Sequence, residues 1–214
     1  MWRLCHVLLA VLGLSLAEGN LQATIVLAGV SQRHSRAGPP SDRSVEAYHE
    51  AVAYLQRAPL AKRIIGHLQR SKTEYIVEIR DGEPGSKPAE FDPTYNIIRW
   101  DPRSSLRWKR SAFNSDSHSA AIALMHEFGH AFHKDIDPLE YSRRVNTKLR
   151  GGWSNSEEKR TILKVENPIA RALGEAERDF HRDTGFYEAE SYQALGPTTT
   201  RHARVGGPLF QALF

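Results

Sequence analysis

Apolar positions along the chain repeat with helical spacing in some stretches and alternate in others. Val45, Tyr48, Val52 and Leu55 recur every three or four residues, predicting a helix with one buried face and Ser44 as its cap. Leu60, Ile64, Ile65 and Leu68 repeat the pattern after Pro59, a residue suited to a first helical turn. Residues 73–79 alternate and are rich in β-formers, and residues 95–100 (YNIIRW) form a second such run, so both predict strands. Between them, residues 82–93 concentrate Gly, Pro, Lys and Asp and predict a loop. Residues 103–118 are polar and basic. Ser119 then caps an apolar helical run, AAIALMHE. Beyond Asp137-Pro138 the chain is polar up to Gly151-Gly152, and Asn155 or Ser156 opens a charged helix that Asn167-Pro168 bends or ends. A further helical piece is expected over residues 169–180.

The ends change this picture. Residues 1–17 combine Arg3, an apolar run from Val7 to Leu16 and the small-x-small site Ser15-Leu16-Ala17, a signal-like segment too short to span a bilayer. Residues 18–42 read as a flexible leader, because Ser, Arg, Gly and Pro dominate from Gly29 onward; residues 43–195 form the folded domain and 196–214 a tail without pattern. Both a signal and a disordered leader end in export, so a secreted protein is expected.

At 214 residues, one domain can bury a sufficient core without disulfides. The single cysteine, Cys5, lies in the signal-like segment, which excludes a disulfide scaffold, a Cys-type zinc finger and a cysteine nucleophile in the domain. A net charge of +4 without a basic run laced with aromatics gives no footprint for nucleic acid. The expected partner is a protein substrate acted on by a monomer.

The chemistry gathers at His126-Glu127-Phe128-Gly129-His130. Two histidines four apart on a helix are about 400° apart in rotation, so both imidazoles face one side and can meet at one Zn²⁺. Glu127, at the edge of that face, is placed to take a proton from a water activated there. His133 is a poor third ligand, because it lies about 10.5 Å along the helix from His126. A carboxylate must complete the set: Asp135 and Asp137 follow the helix, and Glu157, Glu158 and Glu166 lie on the next helical stretch, with the adjacent pair Glu157-Glu158 at its start favoured.

The stretches HEFGHAFH and SNSEEKRTILKVENPIARALGEAERDFH resemble the type III effector zinc proteases of plant-pathogenic bacteria, the XopG-like group. They are also similar in outline to enteropathogen effector proteases, and EEKRT looks like the glutamate helix of clostridial neurotoxin light chains. The resemblance covers residues 95–190 and implies a compact zincin-like α+β metallopeptidase domain, a small sheet lying over the HExxH helix. It implies Glu158 as the third zinc ligand beside His126 and His130. It also implies a transition-state role for Arg178, with His181 standing where those proteases carry a tyrosine. A secreted effector delivered into a host cell, where it cuts a host protein, is the function implied. The alternatives are a zinc hydrolase of a non-protein amide and a non-catalytic effector that binds a host protein.

Overall fold

A computed structural model describes residues 25–30, 37–38, 40–80, 89–109, 115–181 and 184–188. The signal-like segment 1–17 and the tail 196–214 lie outside the described residues.

The fold is mixed α+β, with a central helix that touches strands of both sheets. Strands β1 (Ile25–Val30), β2 (Ala37–Gly38), β3 (Tyr75–Arg80), β4 (Ala89–Asp92) and β5 (Ile97–Trp100) make one sheet in the order β2-β1-β3-β5-β4. β1, β3 and β5 are parallel, and β4 runs antiparallel to β5 at the edge. The parallel step from β1 to β3 needs a crossover, supplied by α1 (Asp42–Leu55) and α2 (Pro59–Arg70). A second, antiparallel sheet has the order β7-β6-β8, from β6 (Ser104–Lys109), β7 (Ser115–His118) and β8 (Thr184–Glu188).

The central helix is α3 (Ala120–Ile136). Its Ala121, Ile122, Leu124, Met125 and Phe128 are fully buried among Tyr75, Val77 and Ile79 of β3, Ile98 and Trp100 of β5, and the apolar faces of α1 and α2. Polar ties fix both its ends. Trp100 Nε1 donates to the Ala120 carbonyl at 2.8 Å, and Ser119 caps the helix through the Ile122 amide. At the far end Asp135 accepts from Ser71 Oγ (2.6 Å) and Tyr75 Oη (3.0 Å) and pairs with His67 Nε2 (2.7 Å). Then follow α4 (Pro138–Asn146), α5 (Ser156–Thr161), a five-residue π-helical segment (Ile162–Glu166) and α6 (Asn167–Leu173).

Several expectations need correction. Ser41, not Ser44, caps α1, accepting from the Ser44 amide at 3.2 Å. The leader assigned to residues 18–42 contains β1, which is paired along its whole length with β3. Its run Ile25-Val26-Leu27-Ala28 is short and continuous, as a strand inside a parallel sheet should be. The loop expected at 82–93 contains β4, and the polar stretch 103–118 holds the β6–β7 hairpin. The polar run after Pro138 forms α4, opened by Asp137 as its cap. The helical piece expected over 169–180 ends at Leu173, where Gly174 takes a left-handed conformation (φ 78°). Arg178 and His181 therefore sit on an irregular segment, not on a helix.

Candidate metal centre

His126 and His130 lie one turn apart on α3, their rings edge-on with centroids 4.7 Å apart and their Nε2 atoms 3.0 Å apart. Both are buried. Glu158, in the first turn of α5, brings Oε2 to 3.0 Å from His126 Nε2 and 3.2 Å from His130 Nε2. Asn155 sets that carboxylate in place, since its Oδ1 accepts from the Glu158 amide at 2.9 Å and starts α5 there. The two helices can approach because position 129 is glycine. A Cβ on Gly129 would lie 2.9 Å from Thr161 Cγ2 and 3.2 Å from Val165 Cγ1.

The other nitrogen of His126 is held as well. Glu166 Oε2 stands 2.6 Å from His126 Nδ1. A carboxylate only accepts, so Nδ1 carries a hydrogen, which leaves Nε2 as the nitrogen able to take a metal. Glu166 is itself buried and takes two hydrogen bonds from Arg178, Nε to Oε1 at 2.5 Å and Nη2 to Oε2 at 2.7 Å. The Asn167 side chain clamps the Arg178 backbone, donating to its carbonyl (2.7 Å) and accepting from its amide (3.1 Å). Between Glu158 and Glu166 the helix passes through the π segment, where the Asn167 amide bonds to the Ile162 carbonyl five residues back. Eight residues of regular α-helix leave the two side chains about 80° apart; the wider turn takes up part of that offset. It also relieves the clash that Pro168 would cause with the carbonyl four residues before it.

Charge in the centre is unbalanced toward acid. Burial alone would raise the Glu158 carboxyl, but the His130 and His126 rings against it hold it far below the usual carboxylate range. Burial likewise works against ionised Glu166, and the Arg178 guanidinium overrides it. Burial lowers His126, yet the hydrogen bonds to Glu158 and Glu166 lift its pKa to about 9. These carboxylates demand a positive charge between the rings. Burial raises the Glu127 carboxyl, a shift that favours a group able to take up a proton.

The donor set suits zinc. Ligand atoms bound tetrahedrally at zinc–nitrogen and zinc–oxygen lengths stand about 3.3–3.4 Å apart, close to the 3.0, 3.0 and 3.2 Å between His126 Nε2, His130 Nε2 and Glu158 Oε2. A proton on one imidazole, as the raised His126 value describes, or a metal ion can satisfy donors this close. Nitrogen and oxygen donors from two histidines and one glutamate match a three-ligand zinc site. Glu127 stands within 4.8 Å of the His126 and His130 ligand atoms.

The remaining expected residues fall into place around this centre. His133 turns away, its buried Nδ1 donating to Glu157 Oε1 at 2.5 Å. Glu157 is thereby occupied and Asp135 is tied to α2 and β3, while Asp137 caps α4. Glu166 faces the wrong nitrogen of His126 to be a ligand beside Glu158. Arg178 is drawn to the centre, but two of its nitrogens are committed to Glu166. His181 reaches the centre: its ring lies nearly parallel to His126 at 6.1 Å, and its Nε2 is 3.2 Å from Glu158 Oε2. Ser154 Oγ meets His181 Nδ1 at 2.7 Å, and the His181 amide donates to the Gly152 carbonyl at 2.7 Å. Gly152 is required there, since a Cβ would come within 2.7 Å of Phe180 Cβ.

Two residues that shape the site escaped the sequence reading: Ser154, and Gly129 in its packing role. The helix α4 was hidden because PLEYSRRVN is too polar to read as a helix, although Asp137-Pro138 was a usable cap-and-start signal. No protein-family model matches the sequence, and no curated protein matches it. No helix among the described residues is long and apolar enough to cross a membrane.

Proposed function

We propose that this chain is a zinc-dependent endopeptidase of zincin-like fold, with His126, His130 and Glu158 as metal ligands and Glu127 as general base. The observation that carries the reading is the convergence of three ligand atoms, 3.0 to 3.2 Å apart, beside a buried carboxylate that is not one of them. Zinc at such a site supplies a Lewis acid that polarises a peptide carbonyl and makes water nucleophilic near neutral pH.

The protein's own groups do the rest. The Glu127 carboxylate takes the proton of the attacking water and passes it to the nitrogen of the leaving amine. His181 is neutral, since burial lowers its pKa to about 4 despite the opposing pull of Glu158. Ser154 Oγ meets its Nδ1, and Nε2, which faces Glu158 Oε2 at 3.2 Å before substrate enters, offers a hydrogen to the carbonyl oxygen as charge develops. Arg178 acts through Glu166, keeping it ionised so that His126 holds its orientation. An extended substrate adds along β4, the edge strand beside α3. By its resemblance to effector proteases, the chain is a secreted protein, delivered into a host cell, that cuts a host protein.

Incubating the zinc-loaded chain with a protein mixture and sequencing newly formed N-termini tests the substrate class. New internal cleavages are expected. Their absence, together with hydrolysis of small non-peptide amides, would move the assignment to the other hydrolase class.

A further inference from the structure

Resting on the reading above, we propose that His181 is a fourth protein ligand of the same centre, closing it until a substrate displaces the ring. Three imidazole nitrogens surround one carboxylate oxygen. Glu158 Oε2 has His126 Nε2 at 3.0 Å, His130 Nε2 at 3.2 Å and His181 Nε2 at 3.2 Å. In a tetrahedral zinc site every ligand atom has three neighbours, each about 3.3–3.4 Å away. Glu158 Oε2 has that surrounding only when His181 is counted. Ligand atoms of His126, Glu158 and His181 also lie within 4.8 Å of one another, close enough to share an ion.

The three rings are held alike. Each turns Nε2 inward and has Nδ1 engaged from behind: His126 by Glu166 Oε2 (2.6 Å), His130 by Thr161 Oγ1 (3.3 Å) and His181 by Ser154 Oγ (2.7 Å). A partner on the outer nitrogen is how ligating imidazoles are oriented. In His181, a hydrogen on Nδ1 donated to Ser154 Oγ leaves the Nε2 lone pair for a cation. The backbone is set for this as well. The His181 amide donates to the Gly152 carbonyl at 2.7 Å, and Phe180 packs edge-on against Trp108 of β6, ring centroids 6.3 Å apart. Three residues before His181, the Asn167 side chain clamps the Arg178 backbone.

The fourth ligand is also the one built to leave. His126, His130 and Glu158 stand on helices, with side chains 8, 7 and 19% exposed; that of His181 is 31% exposed and stands on irregular chain. A centre with four protein ligands has no position for water, whereas a catalytic one keeps a position open. The resting form is therefore latent. Displacement breaks the bond at His181 Nε2 and frees one position for water or a substrate carbonyl. The released ring stays neutral: Nε2 takes a proton from water while Nδ1 gives one up to water, and Ser154 Oγ then donates to Nδ1. In that form the ring can serve the carbonyl oxygen as a donor.

Zinc-edge X-ray absorption on the zinc-loaded full chain, without substrate, counts the bound imidazoles and needs no variant. Three are expected; two would overturn the proposal. His181→Ala, checked for folding by thermal unfolding, should hold zinc with two. A second readout does not depend on turnover. 2-Mercaptoethanol, titrated through the sulfur-to-metal absorption of the cobalt-substituted proteins, should bind about tenfold more tightly to His181→Ala. Such a gain follows if the ring leaves the centre open about a tenth of the time, since the thiol then has nothing to displace in the variant. Equal or weaker binding to the variant overturns the assignment as well. The two failures are distinguishable. Wild type that takes up no zinc sinks the metallopeptidase reading itself. Zinc held by two imidazoles in wild type, with cleavage lost in Glu127→Ala, leaves that reading standing and removes only the closing role of His181.

Discussion

Glu166 holds His126 by its Nδ1 at 2.6 Å, from a position fully enclosed by protein. Glu158, earlier on the same helical run, meets the Nε2 of the same ring at 3.0 Å. One helical segment therefore supplies both the carboxylate that would share a metal with His126 and the carboxylate that fixes the tautomer needed for sharing. Glu166→Gln keeps the shape and removes the charge. Zinc affinity, measured by competition with a chelator, should fall about 10- to 100-fold.

Arg178 neutralises Glu166 where water cannot. Replacing it with Met strands a buried carboxylate, and the folded state should lose roughly 3–5 kcal/mol in denaturant unfolding. Adding Glu166→Gln to that variant should restore part of the loss, since the uncompensated charge is then gone. Strict additivity of the two changes would argue against the pair acting as a unit.

At Gly129 two effects compete. Alanine gains about 1 kcal/mol of helix propensity over glycine. The added Cβ meets Thr161 Cγ2 at 2.9 Å, and overpacking of that kind costs about 1–3 kcal/mol. The steric cost should win. Gly129→Ala should lower the melting temperature and weaken zinc binding, because α5 carries Glu158 away with it. A more stable variant with unaltered zinc affinity would show that the close approach is not needed.

Asp135 accepts from Ser71, pairs with His67 and accepts from Tyr75; these partners outweigh burial and hold its carboxyl below its ordinary value. A folded-state pKa below the unfolded one gives stability that is present in full above about pH 4 and lost as pH falls through the folded value. Wild type should therefore exceed Asp135→Asn in stability at pH 7, and the gap should close as unfolding is measured at progressively lower pH. A gap that widens toward acid would have the wrong sign.

What could be read from the sequence was what depends on local spacing. His126, Glu127 and His130 are tied by one helical turn, and Ser119 and Asn155 start their helices by rules that act over three residues. The meeting of Glu158 with the histidines joins residues about thirty positions apart; the helix start pointed to the pair Glu157-Glu158, and the choice of Glu158 came through resemblance to effector proteases. The Glu166–Arg178 pair was hidden: the π turn before Pro168 and the Asn167 clamp bring them together, and neither leaves a periodic trace. β6 and β7 were missed because SSLRWK and SDSH are more polar than a buried strand. β1 was missed because four apolar residues cannot be told from a helix or leader by periodicity.

The central claim is that Glu127 moves a proton at a zinc centre to which it is not a ligand. The most direct measurement is zinc content and peptide cleavage on the same preparations of wild type and Glu127→Ala. One zinc per chain in both proteins, with cleavage lost only in the variant, is the expected result. Cleavage retained by Glu127→Ala, or wild type that holds no zinc, would contradict it.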